Sequence, residues 1–427
     1  MAELQLHRFT LPNGLRVVLA PDRTAPVVGV SVHYDVGFRS EPEGRTGFAH
    51  LFEHLMFQGS ESLEKLAHFR HVQGSGGTFN GSTHPDYTDY FEVLPSAALE
   101  RALFLEADRM RAPRLTEENL RNQIDVVKEE IRLNVLNRPY GGFPWILLPP
   151  VLYRTFANAH NGYGDFTDLE QATLADCAAF FDTYYAPGNA VLTVAGDFEI
   201  EQAEDLVRKH FGDVPARQVP QRPSFAEPPP EGEQRGEHAD PHAPLPALAV
   251  GYRLPDPVAD LDAYLAHVVL ASVLSDGDSS RLQQRMVHKE ALVTDVSAGC
   301  GLFSALDARD PDTFTVTAIH PPTVQTDRVL GVLDEELDRL ASDGPEPDEM
   351  ARVTARAVAS LHREYDRLVS RTLSLGAMEL LHGRAELVAE LPERIGQVTA
   401  DHVAAAAKAL RPDARAVLTV VPTGGAA

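Results

Sequence analysis

Residues 214–245, VPARQVPQRPSFAEPPPEGEQRGEHADPHAPL, divide the chain. Proline and charged residues recur too densely there for a core helix or a central strand. The stretch reads as a Pro/Glu-rich linker, of which part can pair as an edge strand. The order on either side is similar. Before it, Leu4–Leu19 reads as strand, turn and strand, with Pro12, Asn13 and Gly14 as the turn. Val27–Val36 is a β-branched strand, and Phe48, Leu51, Leu55 and Met56 then recur at helical spacing. A glycine-rich loop at 74–77, a strand at 87–94 and a helix at 99–110 follow. A long helix opens at Thr116, an N-cap residue with Glu117 and Glu118 in the first turn. The pattern next gives a helix over 168–185, a strand over 190–195 and a helix over 201–211. Beyond the break it gives a strand at 247–252, helices at 261–274 and 280–290, and strands at 293–299 and 313–319. Helices then run to Leu410, and a last strand covers 415–421. The expected fold class is α+β: two similar α/β domains, each a mixed, mostly antiparallel sheet packed with helices. Their bounds read as an N-terminal domain at 1–213, the linker at 214–245 and a C-terminal domain at 246–427.

Charge narrows the partners. The chain carries 38 Lys and Arg against 62 Asp and Glu, a formal charge of −24. Nucleic acid and anionic membranes need a basic face, so neither is expected as a partner. Cys177 and Cys300 are too few and too far apart for a metal knuckle or a disulfide framework. The opening MAELQLHRFTLPNGL lacks a basic-then-apolar signal, and no apolar run is long enough to span a bilayer. A cytoplasmic location is expected.

The stretch GRTGFAHLFEHLMFQGSE carries the chemistry. His50 and His54 stand at i and i+4 of a helical segment, so both imidazoles can reach one metal ion. Glu53 lies beside that face, one residue before the second histidine, where it can touch a metal-bound water without being a ligand. The order His-x-x-Glu-His mirrors the His-Glu-x-x-His zinc motif. A catalytic zinc site needs three protein ligands and an open position, so a third ligand must come from elsewhere. The helix from Thr116 carries Glu129 and Glu130. Gln123, Val127 and Glu130 share one face, and Glu129 points about 100° away from Glu130. Periodicity alone leaves both glutamates open. His68, His71, His84, His160, His238, His242 and His288 lack comparable spacing.

The stretch YDVGFRSEPEGRTGFAHLFEHLMFQGSE resembles the zinc signature of the pitrilysin-type (inverzincin, M16) metallopeptidases, and more narrowly their mitochondrial-processing-peptidase-like bacterial subfamily. That resemblance implies His50, His54 and Glu130 as ligands of one zinc ion per chain, with Glu53 as general base. Counting about 76 residues from His54 selects Glu130 over Glu129. GGTFNGSTHPDYTDYFEVLP resembles the family's edge strand that pairs with extended substrate, which places Phe79, Asn80 and Gly81 as substrate-binding residues. ALFLEADRM and NRPYG also recur in the family at similar places.

Two departures matter. Where the family often has a second glutamate seven residues before the ligand, this chain has Gln123, which can orient a ligand but carries no charge. Where the family often has an Arg and, seven residues on, a Tyr that hold the substrate carbonyl, the matching positions are Val287 and Thr294. A zinc-bearing chain without that pair resembles the catalytic subunit of a two-chain enzyme. The resemblance thus implies a metalloendopeptidase that cleaves unfolded peptides or leader segments in a closed chamber. A homologous partner subunit would supply the Arg/Tyr pair, as a heterodimer or with a second copy of this chain. The competing expectation is a non-catalytic scaffolding or peptide-binding subunit of a larger assembly.

Overall fold

The computed structural model describes residues 4–424. β1 (His7–Thr10) and β2 (Arg16–Pro21) flank the turn that Asn13 and Gly14 close. Gly14 takes φ +91°, a left-handed conformation that costs glycine little. β3 (Val27–Tyr34) is buried from its second residue to its last. α1 (Phe48–Leu55) and α2 (Ala67–Gly74) precede a hairpin of β4 (Thr78–Thr83) and β5 (Thr88–Pro95). α3 (Leu99–Arg111) and α4 (Glu117–Ile131) follow, and β6 (Ala190–Gly196) completes a six-stranded sheet in the order β1-β2-β6-β3-β5-β4. Only β2 and β6 run parallel; the other neighbours are antiparallel.

β7 (Gln234–Asp240) lies inside the Pro/Glu-rich stretch and pairs in parallel with β11 (Arg415–Pro422). Its alternating burial suits an edge strand with one wet face. With β8 (Ala247–Arg253), β9 (Asp295–Cys300) and β10 (Thr313–Ile319) it forms a second sheet, ordered β7-β11-β8-β10-β9. Strip β1 from the first sheet and the two orders coincide: one parallel pair, then three antiparallel partners in the same sequence of connections. The repeat that is weak in the residues is therefore plain in the topology. The helix Leu261–Ser275 lies between β8 and β9 as α1 lies between β3 and β4.

The compact units do not follow the chain as consecutive blocks. The first takes residues up to Lys128, then 162–223 and 362–390; the second takes 129–161, 224–361 and the residues after 390. The late segment of the first unit is the helix Leu368–His382, which packs on β3 and β6. Close approach is built in: a Cβ on Gly376 would sit 2.4 Å from the His33 ring, and one on Gly29 would sit 2.4 Å from Thr372 Oγ1. In the second unit, Leu148, Leu152 and Tyr153 pack with Ala249, Ala416 and Leu418. Among the described residues no helix is long and apolar enough to cross a membrane.

Two local readings change. The helix expected over 168–185 is two: Phe166–Glu170 and Leu174–Tyr184. Thr173 starts the second through a reciprocal capping box with Asp176, which satisfies backbone donors that a continuous helix would use internally. The helix expected at 280–290 winds as a π-helix over Gln283–Lys289.

Candidate metal centre

α1 is eight residues long, too short to hold its shape unaided. Phe48, Ala49, Leu51, Phe52 and Leu55 bury one face, and Phe52 sits among Phe180, Phe181 and Tyr185. The helix start is fixed by polar contacts. Glu41 is buried and accepts from Gly47 N at 2.9 Å and Ala49 N at 2.7 Å, placing a carboxylate on the positive end of the helix. Thr46 donates from its amide and its hydroxyl to Asp168 Oδ2, at 3.0 and 2.6 Å. Gly47 has φ +78°, and a Cβ there would meet Tyr163 O at 2.4 Å.

The opposite face of α1 carries His50, Glu53 and His54, each half-buried. The two imidazole rings are 4.8 Å apart and nearly perpendicular. α4 buries Leu120, Gln123, Ile124, Val127 and Ile131. The cut between units falls after Lys128, but α4 is one unbroken rod, so Glu130 in its last turn is positioned by the turns below it. His50, His54 and Glu130 offer ligand atoms that lie within 4.8 Å of one another. Glu129 is exposed and pairs with Arg132, so Glu130 is the glutamate that joins the histidines. Gln123 Oε1 lies 3.3 Å from His54 Nδ1. With that oxygen accepting the Nδ1 proton, Nε2 keeps its lone pair toward the cluster. Two imidazole nitrogens and one carboxylate oxygen, converging and half-exposed, form a donor set that fits a zinc ion with a position left open.

β4 is the edge strand beside this cluster. Its alternation puts Phe79, Gly81 and Thr83 on the α1 side, and Asn80 on the other, exposed face. Phe79 packs against Phe57, His68 and Phe69. Gly81 is buried against Glu53: a Cβ there would lie 3.1 Å from Glu53 Cγ and 3.2 Å from Oε1. Thr83 Oγ1 donates to Glu53 Oε2 at 2.6 Å. The Tyr163 ring stands edge-on to His50, with centroids 5.1 Å apart.

A second polar group lies fully inside the first unit. His68, Glu92 and Glu106 also bring ligand atoms within 4.8 Å of one another, but all three are buried and Arg109 joins them. Its guanidinium forks onto both oxygens of Glu106 and lies 4.4 Å from the centre of the Tyr90 ring. Burial raises the carboxyls of Glu92 and Glu106, Glu92 to about 7, and lowers His68 to about 3. Arg109 balances one carboxylate, and a shared proton neutralises the other at lower cost than a divalent ion beside a buried guanidinium. The group therefore reads as a neutral structural network.

Sequence reasoning named His50, Glu53, His54, Gln123, Glu130, Phe79, Asn80 and Gly81, and these lie on α1, α4 and β4, with Asn80 turned outward. It missed Glu41, Thr83, Tyr163 and Asp168. The glycines flanking Tyr163 were the available signal, because a Cβ on Gly164 would strike Gly47 N at 2.3 Å. In the second unit Arg281 is held by Glu349, and Arg285 by Glu290, Glu335 and Glu336. Both cysteines are free and buried, and burial lifts the Cys177 thiol to about 12, so it is inert.

The chain is similar to known proteins along most of its length. Residues 16–138, which hold every member of the cluster, match the family described as Insulinase (Peptidase family M16), and residues 171–356 match the Peptidase M16 inactive domain. The zinc protease PqqE of Helicobacter pylori is 33% identical over 302 residues, covering 67% of this chain and 64% of that protein. An uncharacterised zinc protease of Mycobacterium bovis, Mb2805c, is 27% identical over 96% of this chain and 91% of its own length. The crystal structure of a protease from Helicobacter pylori superposes with a TM-score of 0.89 at 25% identity, covering 98% of this chain and all of that one. With the zinc-type donor set in place and two matches along its length to one family, the chain belongs to peptidase family M16.

Proposed function

We propose that this chain is a zinc-dependent endopeptidase that cleaves extended peptides or leader segments laid along β4. The observation that carries this reading is the meeting, in one place, of the His50, His54 and Glu130 donors, the Glu53 carboxylate and the edge of a sheet. An edge strand offers backbone donors and acceptors to an added strand, so a peptide in extended form can be held by its main chain. Zinc, when bound by His50, His54 and Glu130, supplies positive charge that polarises the scissile carbonyl and acidifies water. Glu53 takes the proton of the attacking water and delivers it to the departing amine. Gly81 leaves the room that Glu53 occupies, and Gln123 holds the His54 ring in the tautomer that presents Nε2.

Val287 and Thr294 stand where an oxyanion-holding pair is expected, and the nearby arginines are held in ion pairs. This supports a partner subunit of similar fold that completes the site and encloses the chamber, with this chain as the catalytic member.

The test is Glu53→Gln. The variant should retain zinc at the wild-type ratio by atomic absorption and lose cleavage of a quenched peptide by about 10²- to 10⁴-fold. His50→Ala and Glu130→Gln should each lower zinc occupancy. Wild-type cleavage by the Glu53 variant, or unchanged zinc in both ligand variants, would overturn the assignment.

A further inference from the structure

We propose that Thr83 is the positioning residue for Glu53, fixing which carboxylate oxygen faces the reacting water. The inference rests on the reading of Glu53 as the proton acceptor.

Glu53 reaches the site through three rotatable bonds, so its carboxylate needs an external restraint to keep one orientation. The end of β4 supplies one. Thr83 Oγ1 donates to Oε2 at 2.6 Å, a short bond to a charged acceptor, which is among the stronger hydrogen bonds proteins make. The other oxygen, Oε1, then lies beside Gly81, toward the middle of the strand where a peptide would pair.

The hydroxyl is itself held firmly. Threonine is β-branched and stiff at χ1. Thr83 pairs with Thr88 in the register of β4 and β5, and the turn that follows is tied down on several sides. His84 N donates to Tyr87 O at 2.8 Å, and the His84 ring stacks on Tyr87 with centroids 4.2 Å apart. Phe38 N and Arg39 N donate to His84 O and Pro85 O, at 3.2 and 3.0 Å. Arg39 also donates to Asp86 at 3.2 Å in a buried ion pair. The close approach requires Gly37, where a Cβ would sit 2.2 Å from His84 O. A rigid turn thus carries a stiff donor to a flexible acid. The same strand that receives substrate sets the base that acts on it.

Two measurements test this. In the zinc-loaded chain, Thr83→Val keeps shape and β-branching but deletes the hydroxyl. It should lower kcat by about 10- to 100-fold while KM changes less than about threefold and zinc content stays constant. Thr83→Ser should recover most of the loss. Equal loss in both variants, or a change confined to KM, would overturn the proposal. In the metal-free chain, a double-mutant cycle of Thr83→Val with Glu53→Ala, read by urea unfolding, should show a coupling of about tenfold in the unfolding constant. Additive effects would overturn the proposal whatever the activity. If the wild type cuts no peptide even beside a homologous subunit that carries the Arg/Tyr pair, yet the cycle shows coupling, the contact stands and the peptidase reading fails.

Discussion

Arg109 shows how one buried charge organises several neighbours. It forks onto Glu106 and is capped by the Phe57 and Tyr90 rings, while Glu92 and His68 complete the group. Glu92 titrates near 7 because burial penalises its charged form, against 4.5 for an ordinary glutamate. A carboxyl raised in this way favours the folded state fully below the unfolded value, and that contribution fades as pH rises through about 7. His68 acts in the opposite sense: its folded value is depressed to about 3, so stability falls as pH drops below 6.5. We expect Glu92→Gln, which mimics the protonated acid, to flatten the loss of thermal stability between pH 5 and 8, a term on the order of 2 kcal/mol in the wild type. Parallel melting curves across that range check this; identical pH slopes in the two proteins would refute it. None of this was legible in the sequence. Glu92 and Glu106 lie on different elements, and His68 has no ligand-like spacing, so only tertiary packing reveals the group. His50, Glu53 and His54 were legible because a single helical turn places them, and helix geometry is fixed by spacing alone.

At the scale of elements, α1 is a short helix with a large responsibility. Both imidazoles and the proposed base sit on its eight residues, so fraying at either end would scatter the site. Glu41 prevents fraying at the start by accepting two amides that have no partner within the helix. Glu41→Gln should lower stability by about 1–3 kcal/mol in urea unfolding and weaken zinc binding in a competition titration. An unchanged midpoint would show that the contact of Thr46 with Asp168, in the short helix Phe166–Glu170, carries the start of α1 alone. The elements themselves were mostly readable, since apolar period and β-branching survive without context, as in β3 and α4. The exceptions have physical causes. A capping box at Thr173 splits what periodicity joins, because Asp176 turns its side chain back to the Thr173 amide. β7 is polar on alternate positions and is stabilised by the distant β11, a pairing that local sequence cannot announce.

At the scale of the molecule, two sheets of matching topology share one chain but not one chemistry. The helix Leu261–Ser275 takes the place of α1 in the order of elements, yet its sequence LDAYLAHVVLASVLS holds His267 alone and no His-x-x-Glu-His. The units are also interleaved: the helix Leu368–His382 belongs with the first sheet, seated on Gly29 and the His33 ring. A chain truncated at residue 223 should therefore leave one face of that sheet bare and aggregate. Adding residues 362–390 in trans should improve recovery of folded material, measured by solubility and circular dichroism. A monomeric, well-folded 1–223 fragment would contradict that view. The same feature bears on how the protein is made. A ribosome releases β3 and β6 long before it reaches Leu368, on the order of ten seconds or more at ordinary rates of synthesis. Through that interval the nascent sheet shows an apolar flank to the cell. Chaperone occupancy during translation is the natural cover, and slow codons between the two segments would lengthen the exposure.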